Sequence, residues 1–123
     1  MSRLDVKKTY KLYIGGKFPR SESGRSYPAL DSDGAVLARV ASASRKDLRD
    51  AVRVARSATS SWASATGYHR GQVLYRIAET LEDRTGALVD DIMASGVSAA
   101  KARQEVGESV DRMVWYAGWA DKF

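Results

Sequence analysis

The sequence predicts a mixed α/β chain: two N-terminal β-hairpins followed by about four α-helices. Three observations carry that expectation. Hydropathy alternates through Tyr10–Ile14 and short strand-like pieces fill the first third, whereas from position 44 it recurs at the spacing of a helix face. Turn-forming residues break the first third at regular intervals, at 15–16, 21–24 and 31–34. Helix-start signals then recur at Ser44, Thr66 and Thr85.

Each element follows from local chemistry. Tyr10-Lys11-Leu12-Tyr13-Ile14 alternates and is rich in strand formers, Gly15-Gly16 is a two-residue hairpin signal, and Lys17-Phe18 begins the return. Ser26-Tyr27-Pro28-Ala29-Leu30 reads as a second extended piece, which Pro28 confines to an edge or a strand start. Asp31-Ser32-Asp33-Gly34 turns the chain, and Val36-Leu37-Ala38-Arg39-Val40 returns as a strand.

Ser44 followed by Asp47 resembles a capping box, and Leu48, Ala51, Val52, Ala55 and Ala58 build one apolar face. Trp62 closes this stretch and is expected to pack back on the hairpins. Thr66-Gly67 opens a second helix with Val73, Leu74, Ile77, Ala78 and Leu81 facing inward. Thr85 is read as the N-cap of a short third helix carrying Leu88, Val89 and Ile92, stopped by Gly96. A fourth helix runs from about Ala99 towards Phe123, with Val106, Val110, Met113, Val114 and Ala117 on one face. Its end, Trp115-Tyr116-Ala117-Gly118-Trp119-Ala120-Asp121-Lys122-Phe123, is dense in aromatics and has no polar tail. Two short hairpins are marginal without a larger sheet or covering helices. Together with that aromatic end, they make the segment look like the cut edge of a larger fold.

Composition narrows the function classes. With 123 residues, 44% hydrophobic and 28% charged, the chain is of ordinary globular make-up rather than a long disordered tract. Cysteine is absent, which removes disulfides, thiolate metal sites and thiol catalysis together. No apolar run approaches the roughly 20 residues of a membrane span, and the polar, basic start at 1–11 has no signal-peptide core. A cytoplasmic protein with no membrane partner is the expectation. Twenty Lys+Arg against fifteen Asp+Glu give a net charge of +5. The basic residues are spread, however: Arg45, Lys46, Arg49, Arg53 and Arg56 alternate with Asp47 and Asp50, as solvated helices do. No nucleic-acid partner is expected, and a basic helical binder of nucleic acid is the contrasting hypothesis.

The search for chemistry finds little. His69 is the only histidine, which leaves one imidazole and no cysteine partner for a Ser-His-Asp triad or a metal site, and a helix-start or packing role is expected over catalysis. Gly15-Gly16 belongs to a hairpin, and no GxGxxG or GxxxxGK[ST] stands between a strand and a helix. Asp90 and Asp91 point to different helix faces, whereas Glu105 and Glu108 share one with no nucleophile beside them. No catalytic and no cofactor-binding residue is assigned.

Six ordered segments nevertheless resemble the aldehyde dehydrogenase superfamily. Leu12-Tyr13-Ile14-Gly15-Gly16-Lys17-Phe18 is similar to its opening strand motif, and Ser23-Gly24-Arg25-Ser26-Tyr27-Pro28 to its "SG-(K/R)-(T/S)-(F/Y)-P". The strand from Gly34 to Val40 is similar to "GEVIAxV". Lys46-Asp47-Leu48 through Ala58, with Trp62 after it, resembles "EDVDxAVxAARxA". Arg70-Gly71-Gln72-Val73-Leu74-Tyr75-Arg76-Ile77-Ala78 is similar to "RGxLLxRLAD", and the segment from Trp115 to Lys122 to "YYAGWADK" with Trp115 for tyrosine.

The resemblance implies a parent several times longer. It would have a doubly wound NAD(P)-binding domain, a catalytic domain and a small oligomerisation arm. Such an enzyme oxidises an aldehyde to a carboxylic acid through a cysteine thioester, with a glutamate activating water and an asparagine amide holding the oxyanion. All three residues would come after position 123. Residues 1–123 would then be the N-terminal part of the NAD(P)-binding domain without the catalytic domain, and this chain alone is expected to be inactive and to hold no cofactor. NAD or NADP would be the parent's cofactor, and the remainder of the dehydrogenase fold its partner, in a homodimer or homotetramer. The alternative is a free-standing scaffold or interaction module pairing with dehydrogenase subunits. Two further carry-overs follow. Some members bind a monovalent cation through backbone carbonyls after the "FP", which corresponds to Ala29 and Leu30; the family's "DNGKP"-like aspartate is replaced here by Ala94-Ser95-Gly96-Val97-Ser98. The helix before the aromatic motif supplies the mouth of the substrate tunnel, which places Gln104 and Glu108 there and implies more polar aldehydes.

Overall fold

The computed structural model describes residue 4 and residues 6–122. Phe123, the last aromatic of the C-terminal motif, lies outside them, as do residues 1–3 and 5 of the basic start. The chain divides into two compact units, Met1–Thr59 and Ser60–Phe123.

The first unit is built on a three-stranded sheet of β1 (Thr9–Tyr10), β2 (Ser26–Leu30) and β3 (Val36–Ala41), in the order β1-β3-β2. Strands β2 and β3 form the expected hairpin, with Tyr27 opposite Val40 and Ala29 opposite Ala38. The Asp31 carboxylate ties its turn by accepting the N–H groups of Asp33 and Ala35 at 2.9 and 2.8 Å. Pro28 sits within β2, which is an edge strand, so its missing N–H costs no ladder bond. The Gly15-Gly16 hairpin also forms: Ile14 and Lys17 exchange both backbone bonds, and Leu12 N–H reaches Pro19 O at 3.0 Å. Both glycines are left-handed, at φ +62° and +74°, as a type I′ turn demands.

One expectation for this unit needs correcting. Residues 10–14 are not one strand whose only partner is the return segment. The chain before the hairpin, Thr9–Tyr10, pairs in parallel with β3, Thr9 opposite Arg39 and Tyr10 opposite Val40. A parallel partner some thirty positions away leaves no mark in local alternation, which reports only which face a residue takes.

Helix α1 (Arg45–Ser64) begins on a complete capping box. The Ser44 hydroxyl accepts Asp47 N–H at 3.2 Å, and the Asp47 carboxylate accepts Ser44 N–H at 2.8 Å. Its apolar row is largely open: Leu48 is 65% exposed and Val52 49%.

The second unit is helical: α2 (Gly67–Asp83), α3 (Thr85–Ala94) and α4 (Ala99–Trp119), with α2 and α3 both packed on α4. Thr66 caps α2 and Ser98 caps α4 through their side chains. Thr85 does not cap α3. It is the first helical residue, and its hydroxyl donates back to Glu82 O at 2.7 Å, closing α2 instead of opening α3. With α2 ending two positions earlier at Asp83, its free carbonyls are the nearer acceptors for that hydroxyl. Gly96 ends α3 as expected, with its N–H on Met93 O at 2.9 Å.

The core gathers Val89, Ala102 and Val106, with Leu88, Ile92 and Val97 packed against it. On α4 the inward row is Ala102, Val106, Val110, Met113 and Ala117. Val114, expected on that row, lies one residue further round the helix and is 44% exposed. Trp62 is 46% exposed. What is engaged there is the backbone: the Arg70 guanidinium donates to Ala65 O at 2.7 Å and to Trp62 and Ala63 O at 3.5 and 3.4 Å, closing the end of α1.

Candidate functional site

Among the described residues no three His, Cys, Asp or Glu side chains come together as a metal site. His69 is exposed, and it is its backbone N–H that is used, donating to Thr66 Oγ1 at 3.1 Å. The segment is a helix-start residue, as its sequence context implies.

Ala29 and Leu30 lie at the end of β2, where the register with β3 shifts between them. A bulge of this kind takes backbone groups out of the regular ladder. Ala29 is half-buried and Leu30 is 52% exposed. Two neutral carbonyls alone are an incomplete ligand set for a cation. Nor does the stretch at 94–98 supply a carboxylate: Ser95 Oγ donates to Ile92 O at 2.6 Å, and Ser98 caps α4.

Gln104 and Glu108 are brought together on α4. Gln104 Nε2 donates to Glu108 Oε1 at 2.8 Å, and Arg112 Nη2 stands 3.7 Å from Glu108 Oε2. They form a polar ladder one helical turn apart, on the side of α4 away from the buried row. The glycine pair is not placed to cradle a dinucleotide phosphate. The Gly15-Gly16 turn joins two antiparallel segments, whereas a phosphate cradle needs glycines between a strand and a helix N-terminus.

What the structure does explain is why two of the motifs read as they do. Near the start of α2, a Cβ on Gly67 would lie 2.6 Å from Ala120 O, and one on Gly71 would lie 3.0 Å from Ala117 O. The two glycines let the backbone of α2 approach the end of α4, and Ala117 is buried in the contact. Beside them a cleft of about 180 Å³ opens, lined by Tyr68, Gln72, Tyr75 and Gly118. The aromatics of the C-terminal motif turn outward: Trp115 meets Tyr116 edge to face and Trp119 at a tilt, at centroid distances of 4.9 and 5.5 Å, and Trp115 and Tyr116 are 58% and 60% exposed.

One buried charge has partners beyond the cap that its sequence context announces. Asp47 accepts from Ser21 Oγ at 2.6 Å, from Ser44 N–H and from Glu22 N–H at 3.1 Å. The Ser21 hydroxyl first, and the Ser44 N–H after it, hold its carboxyl down at about 2. The Ser44–Asp47 half of this was visible as a cap; the Ser21 half, 26 residues away, was not. The cluster clips the 21–25 loop to the head of α1.

Comparison with known proteins gives a consistent result. The family model described as "Aldehyde dehydrogenase family" matches residues 20–123. The mouse cytosolic 10-formyltetrahydrofolate dehydrogenase is 30% identical over 127 residues, covering 99% of this chain and 14% of its own length. The crystal structure of an NAD-dependent aldehyde dehydrogenase from Sinorhizobium meliloti superimposes with a TM-score of 0.89 at 27% identity, over 96% of this chain and 24% of that one. A structure of PnpE in complex with nicotinamide adenine dinucleotide gives 0.90 at 25%, over 93% and 24%. The chain thus spans a seventh to a quarter of the proteins it matches.

Proposed function

This chain belongs to the aldehyde dehydrogenase family, and from that premise we propose that it is the N-terminal segment of an NAD(P)-dependent aldehyde dehydrogenase that oxidises an aldehyde to a carboxylic acid through a cysteine thioester. Its role within that enzyme is structural: hairpins and helices that complete the NAD(P)-binding domain. The observation that carries the reading is the likeness over 96% of this chain but only 24% of its structural neighbour, in a sequence with no cysteine. The thiol, the water-activating glutamate and the dinucleotide contacts belong to the remainder of the enzyme, which is the partner this segment requires. By itself the chain turns over no aldehyde and binds neither NAD nor NADP.

The outward Trp115, Tyr116 and the open face of α1 support such a partner, because exposed apolar faces of this extent are normally covered. The whole enzyme is proposed to be a cytoplasmic homodimer or homotetramer; no helix among the described residues is long and apolar enough to cross a membrane. The Gln104–Glu108 ladder would stand at the tunnel mouth and favour polar aldehydes. Ala29 and Leu30 would offer the backbone half of a monovalent-cation site.

The test reads the coding sequence beyond codon 123 and assays the chain as it is. A continuation bearing a cysteine is expected, together with no NAD(P)H absorbance above blank when the purified chain meets NAD or NADP and a panel of aldehydes. A stop codon at that point, or turnover that survives removal of contaminating enzymes, overturns the reading.

A further inference from the structure

In the first unit, a cleft of about 310 Å³ lies between the 9–11 segment and the 20–26 loop, and Lys11, Arg20 and Arg25 all line it. This is near the lower size limit of small-ligand sites. Among the described residues none of these three cations has an acidic partner. The nearby acids are otherwise engaged: Asp47 accepts from Ser21 and the Ser44 and Glu22 N–H groups, and Glu22 Oε1 accepts from Ser44 Oγ at 2.9 Å. Ser26 also lines the cleft, and its oxygen accepts from Arg39 Nε at 3.1 Å. That bond leaves the Ser26 proton to donate.

Three unpaired cations around one concavity repel one another, and a bound anion relieves that repulsion while taking charge-assisted hydrogen bonds. A guanidinium fork takes phosphate oxygens bidentately, and a tetrahedral oxyanion has enough oxygens to meet two guanidinium groups and an ammonium at once. We propose that this cleft binds a small oxyanion of the phosphate or phosphate-ester class, held by Arg20 and Arg25 with Lys11 and the Ser26 hydroxyl. A nucleic-acid backbone is the poorer fit, because the cations converge on one cavity instead of tracking a strand. The site uses residues of the first unit alone, so it stands apart from the dehydrogenase reading.

Amide NMR of the 123-residue chain, titrated with inorganic phosphate and with pyrophosphate against chloride at equal ionic strength, tests it. Saturable shifts confined to residues 9–11 and 20–26 are expected, with millimolar affinity and pyrophosphate the tighter ligand. Arg20→Gln with Arg25→Gln removes both guanidinium contacts and should weaken binding by more than about tenfold. Lys101→Gln with Arg103→Gln, on α4, should leave it unchanged. Shifts that never saturate, that map elsewhere or that ignore the Arg20 and Arg25 changes overturn the proposal. So does tighter binding of a single-stranded oligonucleotide with a steep salt slope. If the double arginine variant fails to fold, the wild-type shift map and the lysine variant Lys11→Gln decide the matter.

Discussion

The two units of this chain are held together by opposite means. Among the described residues of Ser60–Phe123 every buried side chain is apolar: Ala78, Val89, Ala102, Val106 and Ala117. In Met1–Thr59 the buried side chains are Ser21 and Asp47, and no apolar residue of that unit is fully shielded among the described residues. The sheet has three strands, one of them two residues long, so it offers little area to cover. What orders the loop at 21–25 is the set of bonds converging on Asp47. One unit therefore depends on area removed from water and on close backbone approach, the other on hydrogen-bond geometry and a charge. The contrast also explains where apolar surface is left over. Tyr13 and Phe18, 5.1 Å apart at the hairpin tip, are 70% and 67% exposed, and so is most of the apolar row of α1.

The sharpest way to break the contrast is to disturb the helical unit where backbones touch. Gly67→Ala places a Cβ 2.6 Å from Ala120 O and 2.8 Å from the Asp121 Cα, neither of which is a flexible side-chain end. A loss of about 2 kcal/mol is expected, read as a lower denaturation midpoint followed by the tryptophans of α4. Gly86→Ala, where a Cβ meets nothing within 4 Å, should be neutral or stabilising. If the two variants behave alike, close approach is not what holds α2 to α4.

A smaller effect is expected from the polar clasp. Ser44→Ala removes the acceptor for Asp47 N–H and should cost about 1 kcal/mol. Asp47→Asn should release the 21–25 loop, seen as faster amide exchange at residues 21–25 and 44–48 with the α4 amides unchanged. The same carboxylate gives the first unit an acid limit. Its pKa falls from 3.8 to about 2 on folding, so its contribution is whole above pH 4 and is lost as pH drops towards 2. Asp47→Asn should abolish that acid transition of the first unit. An unaltered transition in the variant would mean that some other carboxylate governs it.

The smallest change should come from the exposed ion pairs. Arg76 and Glu79 meet at 3.0 Å with both side chains more than half exposed. Glu79→Gln should shift stability by less than about 0.5 kcal/mol, an amount that added salt erases. A larger loss would mean that surface charge contributes to the helical unit as well as apolar packing.

Much of this was legible in local sequence. The glycine pair fixed the first turn, Pro28 placed its strand at an edge, Ser44 with Asp47 announced α1, and the helical spacing of Val106, Val110, Met113 and Ala117 found the inward face of α4. Where the reading failed, the deciding partner lay outside the local window. Thr85 has the right chemistry for a cap, but whether it serves the helix ahead or the one behind depends on which ends closer to its hydroxyl. Val114 has the right polarity for the core, and only the direction from which α2 and α3 approach leaves it outside. Lys11, Arg20 and Arg25 are scattered in the sequence and read as ordinary surface charge until the loop folds back beside the first strand.

Most of the elements, turns and caps, and the family to which the chain belongs, are legible locally, because they rest on contacts between residues up to about four apart or on ordered motifs; the Thr85 cap and the partner of the first strand are not. Tertiary structure alone decided the parallel pairing of Thr9–Tyr10 with Arg39 and Val40, the reach of Ser21 to Asp47, and the seat of Gly67 and Gly71 against Ala120 and Ala117. Each of these joins residues tens of positions apart. Such pairs are selected by which surfaces the whole chain can bring together at once, and local periodicity carries no record of that choice.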